Sequence, residues 1–195
     1  MRKGKFSLVL CAGVALVAIS FFIVVVFLVQ EHIGTNKIRA TLAKMEELLP
    51  ERCDGVPGTY SNLNMPVLQI DGVDYVALLE ISSLRVSLPV ADKWERDKLF
   101  YSPARFCGSA YDHTLVIGGM DGAHQFGFCD EIDRGTLITI TDMTGSRFTY
   151  KVDRVDRAKN ADNTWLTGSD YPLTLYCRDT YSLEYIAVRC DFVYH

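Results

Sequence analysis

The sequence predicts a mainly β chain, a closed barrel of about seven or eight short strands with short helices, preceded by an N-terminal transmembrane helix. Three observations carry this. Residues 6–29 contain no charge, proline, asparagine or glutamine. From residue 67 onward, short runs rich in Val, Ile, Leu, Thr and Tyr recur between Gly, Pro, Asn, Asp and Ser clusters, the pattern of strands joined by turns. Few stretches in that region hold a helical period for long. A chain of 195 residues that is 49% hydrophobic has room for one domain with its own core plus a smaller element.

The smaller element comes first. The uncharged run at 6–29 is long enough to cross a bilayer as a helix. Arg2, Lys3 and Lys5 precede it, so the positive-inside rule keeps residues 1–5 as a cytoplasmic tail and sends 30–195 outside. The apolar run exceeds a signal-peptide core, and no clean small-x-small site precedes Gln30 and Glu31, which favours an uncleaved single-pass anchor in the cell membrane.

Residues 30–66 read as a stalk helix and linker. Ile38, Leu42, Met45 and Leu49 recur at helical spacing among Lys37, Arg39, Lys44, Glu46 and Glu47, an apolar stripe that docks on its own domain before Pro50 ends the helix. Gly55, Pro57, Gly58, Asn62, Asn64 and Pro66 then mark a linker or an irregular arm.

The barrel domain occupies 67–195. Strands are expected at 73–81, 86–90, 114–117, 136–141, 147–155, 173–177 and 185–194, from their β-branched and aromatic content. Met143-Thr144-Gly145-Ser146 is the turn that folds 147–155 back on 136–141. Residues 94–100 and 126–132 are candidate helical turns.

Composition excludes some functions. A net charge of −4 without a basic stripe gives nucleic-acid binding no support. Cys11 lies in the membrane run, leaving Cys53, Cys107, Cys129, Cys177 and Cys190 outside. An odd number in an oxidising compartment leaves at least one free thiol. There is no C-x-x-C or zinc spacing. Asp112-His113 and the scattered Asp121, Asp130, Asp133, Asp153 and Asp156 follow no calcium-loop pattern, and no glycine-rich phosphate cradle opens a helix. No metal and no cofactor are expected.

The chemistry concentrates in Leu173-Thr174-Leu175-Tyr176-Cys177 and in Arg189, twelve positions beyond Cys177. A thiolate beside a guanidinium is a stabilised nucleophile, and the same cation can bind an oxyanion. If Arg189 points at Cys177 across a hairpin, Cys190 points the other way. The competing reading is a Cys177–Cys190 disulfide, or two inert buried thiols on paired strands.

Together the hydrophobic anchor, the β-barrel, Leu115-Val116-Ile117-Gly118-Gly119, the Thr-Leu-x-Cys strand end and the later Val-Arg strand resemble the sortases, membrane-anchored cysteine transpeptidases of Gram-positive bacteria. Val73-Asp74-Tyr75, Leu88-Pro89-Val90, Gly108-Ser109-Ala110-Tyr111 and Gln125-Phe126-Gly127 strengthen the resemblance, which runs from about Tyr75 to the C-terminus. It implies Cys177 as nucleophile and Arg189 as its cation. The thiol-protease chemistry of such a site cleaves a C-terminal sorting signal of the Leu-Pro-x-Thr-Gly type through a thioester. An amine of a cell-wall precursor or a pilin lysine, rather than water as in a hydrolase, then resolves it.

Two departures stand out. The histidine slot after the Ile-x-Gly element falls on Met120, whose thioether neither gives nor takes a proton; His124, in the same glycine-rich loop, is the candidate replacement acid and base. His113 and His195 are read as incidental. The family run Thr-Leu-x-Thr-Cys is shortened, with Tyr176 directly before the cysteine, so Tyr176, Thr174 and Met120 are the candidate substrate-groove residues. The reading is a transpeptidase acting on exported proteins; the alternative is a catalytically impaired sortase-like barrel that binds sorting-signal peptide or a membrane partner without turnover.

Overall fold

The computed structural model describes residues 2–95, 102–122, 125–168 and 170–194, with side chains from residue 13 onward except 30 and 31. Part of the expected helical turn at 94–100, and both His124 and His195, lie outside the described residues. The chain divides into two compact units, Met1–Asn36 and Lys37–His195.

The first unit is helical, within α1 (Arg2–Leu48). Its Leu16, Phe21, Phe22, Ile23 and Phe27 are exposed, and the helix is long and apolar enough to cross a membrane. The second unit opens with the end of α1, where Ile38, Thr41 and Met45 are buried. Met45 packs with Ile70, Tyr75 and Leu78, so the expected apolar stripe docks on this domain.

Among the described residues ten strands follow: β1 (Cys53–Asp54), β2 (Leu68–Ile70), β3 (Val73–Ile81), β4 (Val86–Ala91), β5 (Ala104–Cys107), β6 (Leu115–Gly118), β7 (Leu137–Asp142), β8 (Ser146–Ala158), β9 (Leu173–Arg178) and β10 (Tyr185–Phe192). Eight close into a barrel in the order β3-β4-β5-β6-β9-β10-β8-β7. β7 closes the ring by pairing with β3 on one side and β8 on the other. Closure removes the free edges that an open sheet exposes. The short β1 and β2 add to β8 and β3, so the segment read as a linker is partly tied into the sheet.

Alternation builds the interior. Along β8, Ser146, Phe148, Tyr150 and Val152 are buried while Arg147 and Lys151 between them are exposed. Phe148, Tyr150 and Val152 join Val76, Leu79, Ile117, Ile140, Leu175 and Val188 in one core. The β7–β8 turn is organised by buried Asp142, whose carboxylate accepts from Thr144 N (2.8 Å), Thr144 Oγ1 (2.7 Å) and Ser146 N (2.9 Å) as well as from the Tyr111 hydroxyl. Residues 125–131 form successive turns, with Cys129 N donating to Phe126 O at 2.9 Å. α2 (Asn163–Thr167) begins at Asp162, whose side chain accepts from Trp165 N.

Met45 is fully buried, and truncating it leaves a cavity the neighbouring strands cannot fill. Met45→Ala is expected to lower the unfolding free energy by about 3 kcal/mol, measured by denaturant titration of the full chain in detergent.

Candidate functional site

Two strands decide what the site can be. β9 and β10 are antiparallel, with Cys177 opposite Ile186 and Arg189 opposite Thr174. No register shift interrupts this pairing, so side chains alternate strictly between faces. Leu173, Leu175 and Cys177 of β9 and Ile186, Val188 and Cys190 of β10 all belong to the barrel core. Tyr176 and Ala187 belong to a separate cluster with Val116 and Leu166, on the outer face.

The expected Cys177–Arg189 pair is therefore not formed. The partner of Arg189 lies three residues from Cys177 along β9, an odd offset that places the two side chains on opposite faces. It is Cys190, not Arg189, that shares the face of Cys177. Nor are the two cysteines placed for a disulfide. The partner of Cys190 is Leu173, four residues from Cys177, or about 13 Å along the strand, where a bridge needs Cα atoms within about 7 Å. Cys177 is 1% exposed, and its Sγ sits 3.9 Å from Phe126 O.

Arg189 is itself 2% exposed and fully engaged. Its Nη1 donates to Leu166 O and Thr174 Oγ1 (both 3.0 Å), Nη2 to Trp165 O (2.6 Å) and Nε to Asp156 Oδ2 (3.2 Å). The guanidinium also lies over the Trp165 ring, 5.1 Å from its centre. The cation thus holds the carbonyl end of α2 against the barrel. Thr174, expected in a substrate groove, is 1% exposed; it supplies an acceptor to Arg189 and borders a cavity with Val116, Leu166 and Tyr171.

The accessible chemistry lies at the other end of β9. β6 runs parallel to β9 with Gly118 opposite Tyr176, so Met120 and Arg178, each two residues further on, emerge at the same end. Met120 is 43% exposed; its amide donates to Gln125 Oε1 at 3.0 Å. Arg178 is exposed and pairs in register with Tyr185, its guanidinium 5.5 Å from that ring's centre. The β9–β10 loop is clasped to the β6 loop by Thr180 N donating to Asp121 Oδ2 at 2.8 Å. The Asp179 carboxyl in that loop is held below its ordinary range, first by the Ser182 hydroxyl and then by the Tyr181 amide.

Beside this end stand three rings. Trp94 and Tyr176 stack with centroids 5.4 Å apart, and Phe106 meets them edge-on at 6.0 and 5.6 Å. Gly118 makes the approach possible, because a Cβ there would overlap both Trp94 and Tyr176. A groove lined by Leu63, Lys93, Trp94, Arg105 and Phe106 adjoins the rings. Of the expected groove residues, Tyr176 stands in this cluster, though only 6% exposed. Arg178, Tyr185, Trp94 and Phe106 were missed by sequence reasoning. Counting the strand alternation outward from Tyr176 would have found Arg178.

The remaining histidine signal is elsewhere. His113 precedes β6, at the end opposite Met120, and packs edge-on against Phe192 at 5.2 Å. Among the described residues no group of His, Cys, Asp or Glu is placed to hold a metal ion.

No family model and no curated protein matches the sequence. Solved structures do match. Sortase A from Corynebacterium diphtheriae is 20% identical with a TM-score of 0.56, over 63% of this chain and 62% of that one. Sortase C1 from Streptococcus agalactiae is 22% identical with a TM-score of 0.55, over 65% and 72% of the two chains. Sortase C from Clostridium perfringens SM101 is 18% identical with a TM-score of 0.54, over 63% and 71%. The chain has the sortase fold, and its matched part spans less than two thirds of the diphtheria protein.

Two outcomes follow from the geometry. Arg189→Ala strips the donors from two α2 carbonyls and from Asp156, and is expected to cost about 3 kcal/mol of stability, read by denaturant unfolding; Arg189→Lys, lacking the fork, restores less than half. In the native protein, Arg178→Cys is expected to react with a maleimide at least about a hundredfold faster than buried Cys177, followed by peptide mapping.

Proposed function

We propose that the protein is a membrane-anchored, sortase-fold barrel that binds a sorting-signal-like peptide without turnover. The observation that carries this is the inward orientation of Cys177 on an unbroken β9. A five-residue Thr-Leu-x-Thr-Cys run laid along that strand occupies 174–178, with Cys177 in the second threonine position and Arg178 in the cysteine position. An acyl transferase of this type needs a thiolate, a neighbouring cation and a proton donor at one accessible point. At that end stand Arg178, Tyr185 and Met120. Arg189 shares their face but is four residues along β10 from Tyr185, about 13 Å away.

Binding needs less than catalysis, and its parts are present. The rings of Trp94, Phe106 and Tyr176 offer an apolar shelf for Leu and Pro side chains. The Arg178 guanidinium suits a peptide carbonyl or carboxylate. The uncharged run 6–29, with Arg2, Lys3 and Lys5 before it, supports a cytoplasmic N-terminus and a barrel outside, where exported proteins with C-terminal signals are within reach.

The transpeptidase reading has one feature in its favour, the free thiol of Cys177. It would require β9 to turn that thiol outward, His124 to act as acid, and an amine acceptor of the cell wall or a pilin. Mixing the full chain in detergent with a panel of Leu-Pro-x-Thr-Gly-type peptides and an amine separates the readings. The expected result by intact mass is no covalent adduct and no transfer, with peptide binding by fluorescence anisotropy weakened at least about fivefold in Arg178→Ala. A thioester on Cys177 would overturn the proposal.

A further inference from the structure

Cys177 has a neighbour that the sequence did not single out. The Cys129 amide donates to Phe126 O at 2.9 Å, and Cys177 Sγ approaches the same oxygen at 3.9 Å. Both residues carry free thiols in this structure, the Cys177 thiol is the neighbour that after burial most raises the Cys129 thiol, and the residues are 0% and 1% exposed within one core. Cys129 belongs to the turns that connect β6 to β7, whereas Cys177 sits on β9. Cys190, the third interior thiol, is four rungs from Cys177 along the ladder.

We propose that Cys129 and Cys177 are joined by a disulfide in the exported protein, fastening the β6–β7 connection to β9 beneath the barrel end that carries Arg178. The inference rests on the placement of the barrel outside the membrane, where disulfides persist. It does not depend on peptide binding. The bridge forms during folding, while both thiols are open to solvent. Each thiol loses a proton and the pair gives up two electrons to a small-molecule or protein disulfide of the exchange type, which leaves as two thiols. Closing the barrel then buries the pair. Burial above all, and next the adjacent Cys177 thiol, push the Cys129 thiol well up from its ordinary value. Exchange needs a thiolate, so whichever state is set during folding persists afterwards.

The test uses the full chain in detergent, unfolded and refolded in a glutathione redox buffer, with a sample refolded under reductant as reference. Material that unfolds cooperatively is alkylated under denaturing conditions, digested and mapped by mass. The expected result is a linked pair of peptides containing Cys129 and Cys177, two hydrogen atoms lighter than the separate thiol peptides, with Cys190 alkylated. The same pair is expected in Cys190→Ser. Alkylation of both Cys129 and Cys177 after redox refolding overturns the proposal, as does a bridge from either to another cysteine. Neither of those results bears on peptide binding by Arg178, so the two readings fail separately.

Discussion

The period-two alternation of β9 against β10, fixed by a register with no bulge between Leu173 and Arg178, governs the rest of the structure. A strand cannot turn one side chain around without either a bulge or a slip that reverses all the others. Leu173 and Leu175 are committed to the barrel interior, so Cys177 follows them inward and Arg178 is sent out. The identity of the accessible group at this strand end is thus decided by hydrophobic burial several residues away. Chemistry at the end of β9 and packing at its start are one constraint.

Arg189 illustrates the other side of that constraint. A buried guanidinium is tolerated only when its donors are satisfied, because desolvation of an unpaired ion costs several kcal/mol. Here the carbonyls of Trp165 and Leu166, the Thr174 hydroxyl and the Asp156 carboxylate meet it. That set is built from three separate places in the chain, and the buried carbonyls and hydroxyl would lose this donor without the cation. The same arginine gives a five-residue helix, too short to be stable alone, a fixed place on the barrel. A group held so completely is poorly suited to stabilise a transient oxyanion, since its donors would have to leave existing acceptors first.

Much of the fold was legible because the pattern that signals strands is the pattern that buries them. The long β3 and the β7–β8 hairpin follow directly from apolar runs and from the Thr144-Gly145 turn, and the α1 stripe at Ile38 and Met45 announces its docking. What escaped was short or non-local. β5 spans four residues, two of which are Arg105 and Cys107, and carries little periodicity. Barrel closure depends on β7, already hairpinned to β8, also meeting β3, a contact between segments far apart in sequence that no local pattern encodes. α2 is held by Arg189 rather than by helix propensity. The candidate site is half legible: the β9 end and Met120, singled out in the sequence, emerge at one end of the barrel, whereas Arg189 and Cys177, expected on one face, lie on opposite faces. Alternation within β10 separates Arg189 from Cys190, but the parity of Arg189 against Cys177 is set by the cross-strand register, which neither segment encodes alone.

On the proposed reading, a barrel end that lacks a thiol at its outward position keeps what recognition requires. Catalysis asks for groups that bind the transition state better than the ground state, and these must stand within hydrogen-bond reach of one reacting carbonyl. Recognition asks only for a rigid surface of matched shape and polarity, and rigidity is what the closed barrel supplies: Gly118 seats Trp94 against Tyr176, Phe106 braces both, and Asp121 ties the β9–β10 loop down by Thr180. Preorganised side chains lose little freedom on binding. A membrane helix would further confine such a surface to the layer through which exported chains pass, raising their effective concentration without any new contact. On the proposed reading, modest affinity at this end suffices to hold a sorting-signal-like peptide, a task that does not call for a nucleophile.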